Sequence, residues 1–240
     1  ANIVVFPTAS RLEDTGARYV DIFRCLGAGT VDFINLDTRA DCENLDVLKR
    51  LDEATGIFIT GGNQLRLSTI IGGTPLGDQI RYLNAHEVHV AGTSAGAAIL
   101  PEHMIAGGDT GPTPRQAAVT LTPGLALTNR LVIDQHFRQR DRLGRLLTAL
   151  AYNPYFIGLG VDEDTAGFID PEGVLEVGGS GGVTIVDPSD LEYSSIAETR
   201  RDDVVTMTNV RIHILAAGDR FDLKSRRPMV RAQLEAEEDA

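Results

Sequence analysis

Up to residue 161 the chain alternates short apolar runs with amphipathic stretches. Residues 2–7 (NIVVFP) are apolar at nearly every position, the pattern of a strand covered on both faces. Further strand-like runs follow at 31–36 (VDFINL), 56–60 (GIFIT), 87–91 (EVHVA), 131–136 (LVIDQH) and 155–161 (YFIGLGV). Between them, residues 15–26, 45–51, 63–71, 76–83, 94–100 and 138–151 read as helices. The first of these spaces Ala17, Val20, Phe23 and Cys25/Leu26 near a helical repeat, and Pro101 stops the fifth. Residues 107–114 (GGDTGPTP) form a loop by composition.

After residue 161 the texture changes. Residues 166–169, 174–177, 182–186 and 210–216 are strand-like and are separated by turns such as Asp170-Pro171-Glu172-Gly173. The last ten residues, 231–240 (RAQLEAEEDA), are charged, which predicts a frayed end or a solvated helix. The whole predicts an α/β fold within a single domain, 1–240: a mostly parallel, doubly wound sheet with helices on both faces (1–165), then added C-terminal antiparallel hairpin strands (166–223). In such sheets chemistry sits beyond the carboxyl ends of the strands.

Composition narrows the function. Of 240 residues, 22 are Lys or Arg and 34 are Asp or Glu, a formal net charge of −12. A nucleic-acid binder needs a basic face to neutralise phosphates, so this balance argues against one. No apolar run approaches the roughly 20 residues that cross a bilayer. The two cysteines, Cys25 and Cys42, form no CxxC pair and have no histidines clustered beside them, which argues against structural zinc and for two packing residues in a reducing setting. The expected location is cytoplasmic. The chain begins abruptly at Ala1, so an export signal upstream is the alternative.

Three patterns carry chemistry. The first is Gly92-Thr93-Ser94-Ala95-Gly96, a G-x-S-x-G between a strand and an Ala-rich helix. A tight turn there lifts the serine hydroxyl clear of the backbone and aims the Ala95 amide where an oxyanion forms. Against this stands a plain helix cap in a Gly-rich turn. A serine nucleophile needs a base. Of the five histidines, His86 and His89 come too early to fold back, His103 belongs to the helix after the turn, and His136 ends a strand at the carboxyl edge. The orienting carboxylate is one of Asp162, Glu163 and Asp164, and spacing does not choose among them. The second pattern is Gly61-Gly62-Asn63-Gln64 after GIFIT: either glycine can offer a second oxyanion amide, and Gln64 can bond a substrate amide. The third is the basic run Arg138, Arg140, Arg142, Arg145. On a helix, 138, 142 and 145 share one face, suited either to solvation or to gripping a carboxylate.

FITGGNQLRL, GTSAGAAIL, IDQHFRQRDRLGRL and GLGVDEDTA, in that order, resemble the cyanophycinases, serine exopeptidases related to aspartyl dipeptidase with a class I glutamine-amidotransferase-like sheet. The resemblance covers roughly residues 3–223. PTAS near the start and AAGDRFDL near the end also fit. Members of that family carry a further strand and a Gly-rich turn before the stretch that starts here at Asn2. The resemblance implies hydrolysis of cyanophycin, a poly-aspartate with an arginine on each β-carboxyl, to β-Asp-Arg dipeptides. It implies Ser94 as nucleophile, His136 as base and Glu163 as acid; with them the two Gly-rich turns are expected to supply the amides of Gly62 and Ala95 as the oxyanion hole. Gln64, Asp134, Gln135, Arg140, Arg142 and Arg145 fall in the substrate pocket, where Asp134 would face a substrate cation and the arginines its carboxylates. No cofactor and no metal are implied, and related enzymes are homodimers. The alternatives are an aspartyl or isoaspartyl dipeptidase of the same fold and a non-catalytic anion-binding protein.

Overall fold

The computed structural model describes residues 1–232. All but the first two residues of the expected charged tail (231–240) therefore lie outside the described residues. The chain forms two compact units, residues 1–106 with 122–129, and residues 107–121 with 130 onward. The division comes ahead of the change in texture after residue 161.

The first unit is built from β1 (Asn2–Phe6), α1 (Thr15–Cys25), β2 (Thr30–Phe33), α2 (Leu45–Leu51), β3 (Gly56–Ile59), α3 (Gln64–Ile71), α4 (Pro75–Ala85), β4 (His89–Gly92) and α5 (Ala95–Ala98). The four strands are all parallel, in the order β2-β1-β3-β4. Strand residues alternate between two apolar clusters because successive side chains point to opposite faces. Val4, Phe6, Ile57 and Ile59 join Leu51, Leu67, Ile71, Leu76 and Ile80 on one side. Val5 joins Val20 and Val31 on the other, with Ile3, Tyr19, Phe23 and Phe58 packed against them. The sheet of this unit is thus covered on both faces, by α2–α4 and by α1. Helix starts follow local chemistry. Asn63 Oδ1 accepts from the amides of Leu65 (2.9 Å) and Arg66 (3.2 Å), and Thr74 Oγ1 accepts from Gly77, with Pro75 at the first position of α4.

The chain passes between the units in β5 (His103–Gly108) and β6 (Val119–Pro123), neither of which the pattern predicts. His103 opens β5; it does not lie on a helix. The second unit holds β7 (Leu131–Gln135), α6 (Leu143–Tyr152), β8 (Ile157–Val161), β9 (Thr165–Ile169), β10 (Val174–Gly179), β11 (Val183–Asp187), β12 (Tyr193–Ser194), β13 (Met207–Thr208), β14 (Arg211–Leu215), β15 (Arg220–Asp222) and β16 (Arg227–Met229). One sheet runs β14-β11-β8-β7, with β7 and β8 parallel and the others antiparallel; a second runs β16-β15-β10-β9, all antiparallel. The expectation of one parallel sheet through residue 161 is corrected here. The strand 157–161 takes an antiparallel partner, β11, on one side, so the parallel pair sits in a mixed sheet of its own.

Asp187 pins this unit. Its carboxylate is fully buried and accepts from Arg211 Nη2 (2.7 Å), Arg226 Nη1 (2.5 Å) and Ser189 N (3.0 Å). Arg226 also donates to the carbonyl of Tyr155 at 2.7 Å, just before β8. Burial alone pushes the Asp187 pKa up. The hydrogen bond from Arg226, the Ser189 amide and the Arg226 charge overcome that and hold it below the usual carboxylate range. A folded pKa below the unfolded value stabilises fully above the unfolded pKa, about 3.9, and that contribution fades as pH falls through the folded value. Asp187→Ala strands two guanidinium groups that are only partly exposed, so we expect a loss of about 3 kcal/mol in urea unfolding at pH 7. The gap between variant and wild type should narrow below about pH 4.

Candidate active site

Both Gly-rich turns of the first unit follow parallel strands, at their carboxyl ends. After β4 the backbone reverses at Ser94, which holds φ +51° and ψ −112°, a conformation that L-residues rarely adopt. The amides of Gly96, Ala97 and Ala98 fold back onto the carbonyls of Thr93 and Ser94 and start the four-residue α5. The turn closes only because its glycines lack side chains. A Cβ on Gly92 would stand 2.2 Å from the Gly96 carbonyl oxygen, and one on Gly96 would stand 2.0 Å from that of Ile59. After β3, Gly61 faces the serine: a Cβ there would lie 3.2 Å from Ser94 Cβ and 3.8 Å from its Oγ. Gly62 takes φ +143° against the Ala9 carbonyl, and Asn63 N donates to that carbonyl at 2.9 Å. The segment PTAS thus backs the GGNQ turn. Gln64 is half-buried, and its Nε2 donates to Ile105 O at 3.2 Å.

In the second unit, β7 and β8 end side by side and present His136 and Glu163. His136 Nδ1 lies 2.7 Å from Glu163 Oε1. A carboxylate oxygen accepts, so Nδ1 donates this bond, which favours the tautomer whose lone pair lies on Nε2. His136 adopts φ +48° where the chain leaves β7, and Phe137 N returns to the Val161 carbonyl at 3.1 Å. The Phe137 ring covers Gly160, where a Cβ would come within 2.5 Å of it. Of the three candidate acids, only Glu163 bonds the imidazole. Asp162 is buried and accepts from the amides of Arg138 (3.1 Å) and Gly182 (3.2 Å), while Asp164 makes a left-handed turn. The sequence reading missed Gln139, whose Oε1 accepts from Glu163 N at 3.2 Å and so holds the loop that carries the acid. An uncharged side chain in an Arg-rich run carries no periodic signal.

The basic run differs from expectation. Residues 137–141 are turn, and α6 begins only at Leu143. Positive φ at His136 and Asp141 stops a right-handed helix from forming there. Arg138 and Arg140 are therefore exposed on the turn, Arg142 precedes the first turn of α6, and Arg138, Arg142 and Arg145 share no helical face. Asp134 also departs from the role of facing a substrate cation. It is 1% exposed, and its carboxylate accepts from Arg145 Nε (2.6 Å), from Arg145 Nη2, from Arg142 Nη1 (3.3 Å) and from Gln135 N (3.0 Å). Arg142 Nη1 also reaches Gln135 Oε1 at 3.0 Å. Two buried cations share one carboxylate. Burial first, and then the neighbouring Arg145 charge, lower the Arg142 pKa from its ordinary value against the pull of Asp134. Cys42 packs in the core as expected, but Cys25 is exposed. Among the described residues no cluster of three or more His, Cys, Asp or Glu side chains is placed to hold a metal ion.

Two substitutions probe these supports. Gly96→Ala drives a methyl group into the Ile59 carbonyl, so the elbow must open. The expected result is a melting temperature lower by several degrees and loss of reaction of Ser94 with a fluorophosphonate. Arg145→Ala leaves Asp134 with the weaker of its guanidinium partners, and calorimetry should read a loss of about 3 kcal/mol.

A model of peptidase family S51 matches residues 1–177. The cyanophycinase of Trichormus variabilis is 42% identical over 228 residues, 94% of this chain and 76% of that protein. The cyanophycinase of Geminocystis herdmanii is 41% identical over 232 residues, 95% of this chain and 85% of that protein. Among solved structures, a peptidase from an acI-B1 Actinobacterium superposes with a TM-score of 0.62 at 23% identity, over 92% of this chain and 83% of that one, a likeness of fold. With a family model covering most of the chain and relatives above 40% identity along nearly its whole length, this chain belongs to peptidase family S51.

Proposed function

We propose that this chain is a serine exopeptidase that hydrolyses cyanophycin to β-Asp-Arg dipeptides through an acyl-enzyme on Ser94. The observation that carries the reading is the 2.7 Å bond between His136 Nδ1 and Glu163, which leaves Nε2 as a base. The substrate rests on the two relatives named cyanophycinase. In this reading Nε2 takes the proton of Ser94 as its Oγ attacks the scissile aspartyl carbonyl. The amides of Ala95 and Gly62 hold the oxyanion, one such donor lowering the barrier by roughly 3 kcal/mol. Glu163 fixes the tautomer and stabilises the imidazolium, which then protonates the leaving amine. Water, activated by the same imidazole, releases the acyl group. Gln64 offers its amide oxygen to the substrate amide, and Arg140, exposed on the turn after His136, meets a substrate carboxylate. Asp134 and Gln135 hold Arg142 and Arg145 in place, and those arginines supply the surplus positive charge. A homodimer belongs to the reading and is read by sedimentation.

Ser94→Ala should abolish release of β-Asp-Arg from cyanophycin while the melting temperature stays within a degree or two, since alanine meets the same backbone demand. A fluorophosphonate should label the wild type at Ser94 and leave the variant unlabelled. Glu163→Gln should lower kcat by on the order of 100-fold or more, because the amide no longer enforces the tautomer. Retained turnover in Ser94→Ala, or a preference for Asp-Leu over cyanophycin, would remove this reading.

A further inference from the structure

A further Gly-rich turn, Gly178-Gly179-Ser180-Gly181-Gly182, joins β10 to β11 in the second unit. It is bonded along its length to the loop that carries Glu163. Ser180 N donates to the Asp164 carbonyl at 2.9 Å, and Asp162 N donates to the Gly182 carbonyl at 3.2 Å. Gly181 N donates to Thr165 Oγ1 at 3.0 Å, and that hydroxyl donates in turn to the Glu163 carbonyl at 3.0 Å. The two segments approach too closely for side chains. A Cβ on Gly179 would stand 2.1 Å from the Asp164 carbonyl oxygen. One on Gly181 would stand 2.6 Å from Thr165 Oγ1 and 3.0 Å from the Glu163 carbonyl oxygen. Gln139 Oε1 accepts from Glu163 N at 3.2 Å, so Glu163 is held at its amide and at its carbonyl.

This double hold matters because little else aims the acid. The side chain of Glu163 is 52% exposed, and among the described residues its carboxylate makes one hydrogen bond, to His136. Water competes for that carboxylate, and neither burial nor a second donor fixes it. Its aim therefore depends on where the main chain starts the side chain. A misplacement of ~1 Å in a reacting constellation costs on the order of 100-fold in rate.

We propose that Thr165 and Gln139 are positioning residues for the hydrolysis, and that the 178–182 turn is the bed against which the main chain of Glu163 is held with its carboxylate on His136 Nδ1. The proposal rests on the reading of Glu163 as the acid and extends it from the three reacting side chains to the loop behind one of them. Both residues act through Glu163, so their loss slows the chemical step and leaves substrate binding intact.

The test measures kcat and KM on cyanophycin, the rate at which a fluorophosphonate labels Ser94, and the melting temperature. Thr165→Val keeps the shape of the side chain and removes the hydroxyl; Gln139→Leu removes the acceptor. Each should lower kcat and the labelling rate about tenfold, with KM within about twofold. Thr165→Ser and Gln139→Glu keep the bonding oxygen and should stay within about threefold of wild type. Added to Glu163→Gln, either Thr165→Val or Gln139→Leu should cost less than about twofold more, because the carboxylate they position is gone. Labelling needs no substrate, so it reads the positioning independently of the cyanophycin assignment. Unchanged kcat and labelling in either single variant, a change in KM in place of kcat, or losses that multiply fully with that of Glu163→Gln overturn the positioning role and leave the acid in place. Wild-type turnover and labelling in Glu163→Gln overturn the acid and this proposal together.

Discussion

The Ser94 turn exists because two backbone strands approach where no side chain fits. A residue at φ +51° carries strain on the order of 1–3 kcal/mol, and it persists only where its surroundings over-determine it. Here Gly92 and Gly96 stack carbonyl against Cα, and Gly96 leans on the Ile59 carbonyl of the neighbouring strand. The parallel pairing of β3 with β4 brings that carbonyl into place, and the pairing is held by the apolar cluster of Ile57, Ile59, Leu67 and Ile71. Core packing is thereby converted into the exposure of one hydroxyl. The same pairing sets Gly61 beside Ser94, so the two Gly-rich turns are one construction.

The second unit solves a different problem, that of holding a histidine and an acid without burying either. Glu163 is about half exposed, so its bond to His136 draws strength from geometry more than from a low dielectric. Rigidity comes from groups behind it. Asp162 is buried and ties the backbone of Arg138 to that of Gly182, Gln139 holds the Glu163 amide, and Phe137 covers Gly160. Deeper still, Asp134 binds Arg145 and Arg142 so that the turn after β7 is fixed to α6. A buried ion pair seldom gains net stability over apolar packing, so its presence here is better explained by position than by energy.

What was legible in the chain followed from local patterns. Strands 2–6 and 131–135 are apolar along most of their length and largely buried. Helices 15–25 and 45–51 form where the pattern puts them, though Val20 and Leu51 are the apolar positions they bury fully, while Ala17, Cys25 and Leu45 are exposed. The G-x-S-x-G turn and the GG turn were readable because only glycine tolerates such contacts. The helix over 138–151 was overextended because composition does not reveal left-handed residues: His136 and Asp141 interrupt it at positions that other side chains also occupy. β5, β6 and the short hairpin strands near the C-terminus carry little signal because their apolar runs are brief or broken by polar residues. Choosing Glu163 over Asp162 required three dimensions. Both carboxylates lie at the end of one strand, and only the pleat decides which turns inward to bind amides and which turns outward to the imidazole.

Charge ties these observations together. The chain carries −12 overall, yet the turn after His136 and the start of α6 gather Arg138, Arg140, Arg142 and Arg145 within eight residues of sequence. A substrate whose every unit bears one cation and one anion has almost no net charge, so the field of the whole protein exerts little steering on it. Recognition of such a unit must then come from separate short-range contacts to each end, and salt screens exposed pairs of that kind more than buried ones. A guanidinium held by a buried carboxylate, as Arg145 is by Asp134, with its Nη1 also 3.5 Å from the Gly108 carbonyl, is fixed in one orientation on folding. That preorganisation gives a reason for placing an ionic cluster where apolar residues would pack as well.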